Sequence, residues 1–209
     1  YVTSKRSSRE EFCAGLGIDP KRRIILFASV GNIANPTEWQ TLSLLVRAFE
    51  ENKFPSDSLI IFRQHPTEKT EMKNIPQSQY IVVDDSKTTF SAGVETFSEI
   101  LAKDMEHLAD SLHHASLLVT TTSSMSIDAS VFDTPVINIA FDGWEQPPFH
   151  LSVRRKLTPH HTHYQPIVKS GGVLVASTLE ELVEAINRYL KNPALEREGR
   201  KRIVREQCY

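Results

Sequence analysis

Six of the nine residues from Thr120 to Asp128 carry a hydroxyl group, and five of those follow one another without a break, from Thr120 to Ser124. An apolar run, Leu117–Thr120, precedes them, and Ser123–Phe132 reads as a short helix. Hydroxyl residues at a strand-to-helix turn suit the binding of an anion. The start of a helix presents main-chain N–H groups and a partial positive charge, and Ser and Thr add donors with little bulk. Asp128 stands about one turn further on, where a carboxylate can accept two ribose hydroxyls. An ordinary helix cap uses the same residues, so this turn alone leaves both readings open.

A second cluster is Arg63-Gln64-His65-Pro66, at the end of the apolar run Ser58–Arg63. Arg63 can grip a phosphate through two N–H groups. His65 can donate to a phosphate oxygen or act as an acid toward a leaving nucleotide. Gly31 and Asn32 follow the run Arg23–Val30, and a glycine is expected where main chain approaches a ligand closely. An arginine at a strand end and a turn glycine are the plainer readings. Together, however, the three segments place donors after three different strands.

The elements that position them alternate. Apolar strands are expected at Arg23–Val30, Ser58–Arg63, Tyr80–Val83, Leu117–Thr120, Pro135–Ala140 and Val173–Ala176. Helices are expected at 11–16, after Thr37 as N-cap, at Met105–Ala115, at Ser123–Phe132, after Thr178 with Glu181 in a capping box, and from Pro193 onward. Six strands alternating with helices predict an α/β fold: a doubly wound, Rossmann-like, mostly parallel six-stranded sheet. Such sheets bind ligands beyond the carboxyl ends of their strands, at the switch point. Residues 1–10 read as a polar linker, 11–209 as one domain, 84–103 as a long polar stretch, and 142–172 as mostly loop.

Composition narrows the function. The 209 residues are 40% hydrophobic and 24% charged, with a formal net charge of −2. That is a globular composition with no overall drive toward nucleic acid. No apolar run approaches the roughly 20 residues of a bilayer helix, and no signal-peptide pattern precedes the first element. Cys13 and Cys208 stand far apart, outside any CxxC context, which fits a reducing cytoplasm.

Here the motifs become more specific. Arg63-Gln64-His65-Pro66 resembles the R-x-H-P motif of the CDP-glycerol glycerophosphotransferase family and related capsule-polysaccharide transferases. The run Ala115–Ala129, followed by Thr134-Pro135-Val136-Ile137, is similar to their serine-pair and acidic-residue block. Related blocks occur in the peptidoglycan N-acetylglucosamine transferase and in the non-hydrolysing UDP-N-acetylglucosamine 2-epimerase. The resemblance implies the C-terminal, nucleotide-binding half of a two-domain GT-B enzyme. It implies that Thr122, Ser123, Ser124 and Met125 hold a diphosphate, that Asp128 holds the ribose, and that Arg63 and His65, with Gly31 and Asn32, complete the site. The nucleotide-diphosphate donor, CDP- or UDP-linked, is then substrate, and neither cofactor nor bound metal is required.

The expected activity of the parent is transfer of a glycosyl or glycerophosphoryl group to a saccharide or polyol in surface-polymer synthesis. It would act in the cytoplasm, compatibly with peripheral attachment to the membrane's inner face. The acceptor's base is expected on a missing N-terminal domain, so this chain alone should bind nucleotide and turn over little. A 2-epimerase-like domain and a non-catalytic nucleotide-binding module are the alternatives.

Two departures from the family pattern stand out. Thr121-Thr122 replaces the usual Asp-Tyr, and Phe141-Asp142-Gly143-Trp144 replaces the two-glutamate helix of sugar-retaining relatives. Asp142 and Trp144 are candidates for a donor-sugar or acceptor pocket, or for a packed loop. His150, His160, His161 and His163 lack the neighbouring ligands of a zinc site. The basic run Arg154–Lys156 suits a polyanionic acceptor or a solvated surface. The base is expected near Val83–Ser86.

Overall fold

Strand β1 (Arg23–Ala28) is apolar after its first residue, and every residue from Ile24 on is buried. Such a strand needs cover on both faces, which places it in the middle of a sheet. The computed structural model describes residues 6–85, 89–90, 98–99, 102–156 and 162–208. It places β1 between β2 (Ser58–Arg63) and β6 (Leu117–Thr120). Beyond them lie β3 (Ile81–Asp84), β7 (Val136–Ile139) and β8 (Val173–Ala176), in the order β3-β2-β1-β6-β7-β8. All five pairings are parallel. These are the six expected strands: Ser58–Arg63, Leu117–Thr120 and Val173–Ala176 match residue for residue, Tyr80–Val83 is shifted by one, and Arg23–Val30 and Pro135–Ala140 lose one or two residues at an end. A separate antiparallel pair, β4 (Thr89–Phe90) and β5 (Ser98–Glu99), stands apart from the main sheet within the stretch read as polar.

Alternation along the strands sends side chains to two cores. Ile25 and Phe27 face α2 (Glu38–Glu50) and α7 (Leu179–Lys191), with Leu42, Leu45, Val46, Leu182 and Ile186. Ile24 and Leu26 face the other layer, built from α1 (Arg9–Leu16), α3 (Ala102–His114), α4 (Met125–Val131), α6 (Gln165–Lys169) and α8 (Arg197–Gln207). The chain winds from β1 outward through β2 and β3, then crosses back to β6 and winds the other way. The loops after β1 and β6 therefore diverge and leave a crevice at their carboxyl ends.

Several boundaries differ from expectation for local reasons. Ser8 caps α1 in a reciprocal capping box with Glu11, so the helix opens at Arg9. Arg9 donates to the carbonyls of Pro20 and His114, each at 2.7 Å, and Ser7 donates to Asp110 at 2.7 Å. The supposed linker is thus tied into the domain from Arg6 onward. Thr37 makes no side-chain cap; its hydroxyl donates to Asn35 Oδ1 at 3.2 Å. Glu181 answers the Thr178 cap by accepting from Ser177 N–H, one residue away from the reciprocal position of a capping box. The loop 142–172 holds two short helices, α5 (Val153–Lys156) and α6.

The last helix starts at Arg197, four residues after the expected Pro193. Pro193 and Leu195 instead give their carbonyls to the buried guanidinium of Arg200, at 2.9 and 2.6 Å, and Asp133 accepts its Nε at 2.9 Å. Gly199 packs that helix against main chain: a Cβ there would lie 2.2 Å from the carbonyl of Gly171. Gly15, inside α1, has nothing within 4 Å of such a Cβ. The two glycines make a paired test by thermal or urea unfolding. Gly199→Ala should destabilise the domain by about 1–3 kcal/mol or more through overpacking. Gly15→Ala should stabilise it by up to about 1 kcal/mol through helix propensity.

Candidate functional site

The crevice is a cleft of about 420 Å³, inside the size range of small-ligand sites. Its walls come from four places in the sheet. Ala28 ends β1, and Ser29, Val30 and Ala34 follow it; Arg63 ends β2, and Gln64, His65 and Pro66 follow it; Thr122, Ser123, Ser124, Met125 and Asp128 follow β6; Asp104, Met105 and Leu108 lie on α3. Seven of the sequence-predicted residues, Arg63, His65, Thr122, Ser123, Ser124, Met125 and Asp128, are therefore brought together. Gly31, Asn32, Asp142 and Trp144 do not line it.

Arg63 does not present a bare cation. Its Nη1 donates to Asp84 Oδ2 at 2.7 Å, and both side chains are over nine-tenths buried. Asp84 Oδ1 lies 2.9 Å from His107 Nε2 on α3. Burial pushes the Asp84 carboxyl up, but the His107 hydrogen bond and the Arg63 charge outweigh it and hold the group below the usual carboxylate range. The guanidinium is oriented by this pair and largely neutralised by it.

His65 Nδ1 accepts from the main-chain N–H of Glu68 at 3.1 Å and of Thr67 at 3.4 Å. An Nδ1 that accepts N–H bonds carries no hydrogen. The neutral ring therefore bears its hydrogen on Nε2, as a donor. That geometry suits a hydrogen bond to a phosphate better than delivery of a proton from an imidazolium.

Across the cleft, Ser123 and Ser124 lead into α4. Ser123 Oγ accepts from Met125 N–H at 3.3 Å, and Ser124 is exposed. At seven residues α4 is two turns long. What it offers an anion is local N–H and O–H groups more than a long aligned dipole. Tyr164, just before α6, anchors this wall from behind. Its phenol donates to Asn138 Oδ1 at 2.9 Å and lies 2.7 Å from Ser126 Oγ. Burial keeps the phenol protonated by pushing its pKa up.

The β1 loop is held by two glutamates that sequence reasoning passed over. Buried Glu38 accepts from Ser29 Oγ and from Val30 N–H at 3.1 Å. Glu68 accepts from Ile33 N–H at 2.9 Å, and Asn32 Nδ2 donates to Lys69 O at 3.1 Å. Gly31, at φ +86°, sits where a Cβ would strike the Glu68 side chain. Gly31 and Asn32 thus lock the β1 loop onto the loop after His65; that locking is a framing role, with no face toward the cleft.

Asp142 is likewise spent on structure. Its carboxylate accepts from Ser152 Oγ at 2.6 Å and from Val153 N–H at 3.0 Å, capping α5. Trp144 is half exposed and edge-on to Trp39, with ring centroids 5.2 Å apart. His150 and His163 are exposed; His160 and His161 lie outside the described residues. Ser86, expected near the base, also lies outside them, and Val83 is not in the cleft wall. Its apolar end is instead Met105 and Leu108, one turn apart on α3. Their helical spacing was visible in sequence, but nothing there marked them as lining a cleft. Among the described residues no helix is long and apolar enough to cross a membrane.

No known family model matches the chain, and no curated protein matches it in sequence. Solved structures do. The chain is similar to UDP-GlcNAc 2-epimerase from Methanocaldococcus jannaschii, at a TM-score of 0.51 and 17% identity over 98% of this chain and 50% of that one. It is similar to the wall teichoic acid polymerase TagF, at 0.53 and 13% over 94% and 42%. It is also similar to the C-terminal CMP-Kdo binding domain of WaaA from Acinetobacter baumannii, at 0.50 and 10% over 94% of each chain. The fold is that of a GT-B domain. The chain spans half or less of the epimerase and of TagF, but nearly the whole of the WaaA domain.

The Arg63–Asp84 pair gives the domain a pH signature. A depressed carboxyl contributes stability that is present above its unfolded value, near 4, and is lost as pH falls through the lower folded value. Asp84→Asn should cost about 3–5 kcal/mol at pH 7, because it leaves a buried guanidinium without its counter-charge. The gap in unfolding free energy between wild type and variant should narrow steadily as pH drops from 5 to 3.

Proposed function

We propose that the cleft binds the nucleoside diphosphate of an activated donor, as half of a glycosyl or glycerophosphoryl transferase of surface-polymer synthesis. One observation carries the reading: donors after β2 and after β6, with a carboxylate one turn beyond, line a single cleft at the switch point of the sheet. The diphosphate sits between His65 and the Thr122–Met125 wall, with Arg63 behind it. Asp128 accepts the ribose hydroxyls. The base lies over Met105 and Leu108, beside Asp104, whose buried Oδ2 finds no partner among the described residues.

In the whole enzyme these donors would act on the leaving group. Negative charge gathers on the terminal phosphate as its bond to the transferred group breaks. The Nε2–H of His65 and the N–H and O–H groups opposite are already aimed where that charge develops, so they stabilise it without reorganising. Activation of the acceptor belongs to a part outside this chain. The neighbours favour nucleotide-linked sugars: one is a UDP-GlcNAc 2-epimerase and another a CMP-Kdo binding domain. Cytoplasmic action at the inner face of the membrane fits such a donor. A 2-epimerase-like domain is the second reading, favoured by those epimerase neighbours. Release of free N-acetylmannosamine, or of its UDP form, by the full-length parent would select it.

Calorimetric titration of the chain with CDP, UDP, GDP and CMP tests the site. One nucleoside diphosphate should bind, and Asp128→Ala and Ser123→Ala should each weaken it about tenfold, as for loss of a hydrogen bond to a charged group. Trp144→Ala should bind as wild type does. Equal loss in Trp144→Ala, or no binding of any nucleotide at millimolar concentration, would reject the assignment.

A further inference from the structure

Tyr164 belongs to a segment that sequence patterning reads as loop, and it lies behind the cleft wall, not in it. It is 4% exposed, yet its hydroxyl joins α4 to β7. It lies 2.7 Å from Ser126 Oγ on the first turn of α4, and it donates to Asn138 Oδ1 on β7 at 2.9 Å. Ser123 faces the cleft, while Ser126 and Asn138 are both fully buried. The Ser126 N–H donates to Ser123 O at 3.1 Å, so the hydrogen bonds of this one oxygen tether the turn on which the cleft's hydroxyl wall is mounted.

The donor and acceptor roles close without conflict. Tyr164 O–H gives its hydrogen to Asn138 Oδ1, so the Ser126 hydroxyl is the donor to the phenol oxygen. Ser130 Oγ in turn donates to Ser126 O at 2.7 Å, which carries the constraint along α4. The arrangement has a cost: Asn138 Nδ2 is buried and finds no partner among the described residues. A side chain chosen only to fill this space would leave no orphaned donor. The asparagine keeps its carbonyl toward Tyr164 and gives up its amide hydrogens.

From this we infer that Tyr164 is a positioning residue for the phosphate end of the cleft. It holds the Ser123–Ser126 turn at the spacing from His65 and Arg63 that a diphosphate bridges. The inference rests on the nucleotide-binding reading, and it adds what sets the selectivity of that site for phosphate. Tyr164→Phe keeps the ring and removes the hydroxyl, freeing the turn to drift away from the opposite wall. The loss should fall on contacts to phosphate and spare contacts to base and ribose, which lie on α3 and at Asp128.

The test compares two ligands on three proteins. Wild type, Tyr164→Phe and Ser126→Ala are titrated with whichever of CDP, UDP, GDP or ADP binds wild type, and with the matching phosphate-free nucleoside, the latter followed by NMR. Tyr164→Phe should weaken the diphosphate about tenfold, the scale of one hydrogen bond to a charged group, and leave the nucleoside unchanged. Ser126→Ala should give a smaller loss of the same kind, and the double variant should show less than the sum, because both act through one oxygen. Unchanged diphosphate affinity in Tyr164→Phe would overturn the inference. An equal loss for nucleoside and diphosphate would also overturn it, since that is general loosening of the fold. If Tyr164→Phe does not fold, Ser126→Ala alone decides by the same ratio. Wild type that binds no nucleotide removes the reading beneath the inference, and that outcome is distinct because it precedes any variant.

Discussion

Thr120 Oγ1 donates to the carbonyl of Ala28 at 2.9 Å, across the boundary where the sheet reverses its winding. The two residues end β6 and β1, adjacent parallel strands whose following loops must separate. Parallel pairing brings both ends to the same edge, and the reversal carries one loop to each side. Everything that lines the cleft is hung from that edge. Asn35 adds a weaker tie between the same loops, its Nδ2 reaching Thr121 Oγ1 at 3.4 Å. The opening is thus a consequence of topology, and its chemistry is decided by what the diverging loops carry.

What they carry is hydrogen-bond donors more than net positive charge. Arg63 is paired with Asp84, His65 is held as a neutral donor, and Asp104 and Asp128 bring negative charge to the same cleft. A cleft of this kind discriminates by geometry. Neutral donors cannot attract an anion from far away, but in a partly dry site each is costly to leave unpaired, so a ligand that satisfies several at once is favoured over one that misses them. This explains the extent of the support behind the walls. Glu38 and Glu68 hold the β1 loop, Asp84 and His107 hold Arg63, and Tyr164 holds the hydroxyl turn.

The strands and the cleft's main residues were legible because both are written locally. A run such as Ile24 to Ala28 can only be a covered strand, and Arg63 to Pro66 and Thr122 to Asp128 sit directly after such runs. The supporting contacts were not legible, because each joins residues far apart in the chain. Nothing near Arg63 in sequence announces Asp84, and nothing near Ser126 announces Tyr164. Asp142 shows the converse. A carboxylate after a strand suggests a ligand, but Ser152 and the Val153 N–H lie ten and eleven residues on and take it as a helix cap. Gly31 was right about close approach and wrong about the partner, which is the Glu68 side chain. Helix starts at Arg9 and Arg197 were misplaced for the same reason, since capping and buried carbonyl acceptors override the pattern of Pro and charge.

The central claim is spatial: a diphosphate rests between His65 and the Ser123–Met125 turn. The most direct measurement is a titration of the isotope-labelled chain with its nucleoside diphosphate, followed through main-chain amide and histidine ring NMR signals. The account predicts that the largest shifts fall on Thr122, Ser123, Ser124 and Met125 and on the Nε2–H of His65, with Met105 and Leu108 responding to the base. Shifts gathered instead around Asp142, Trp144 and α5, with the β6–α4 turn silent, would contradict it.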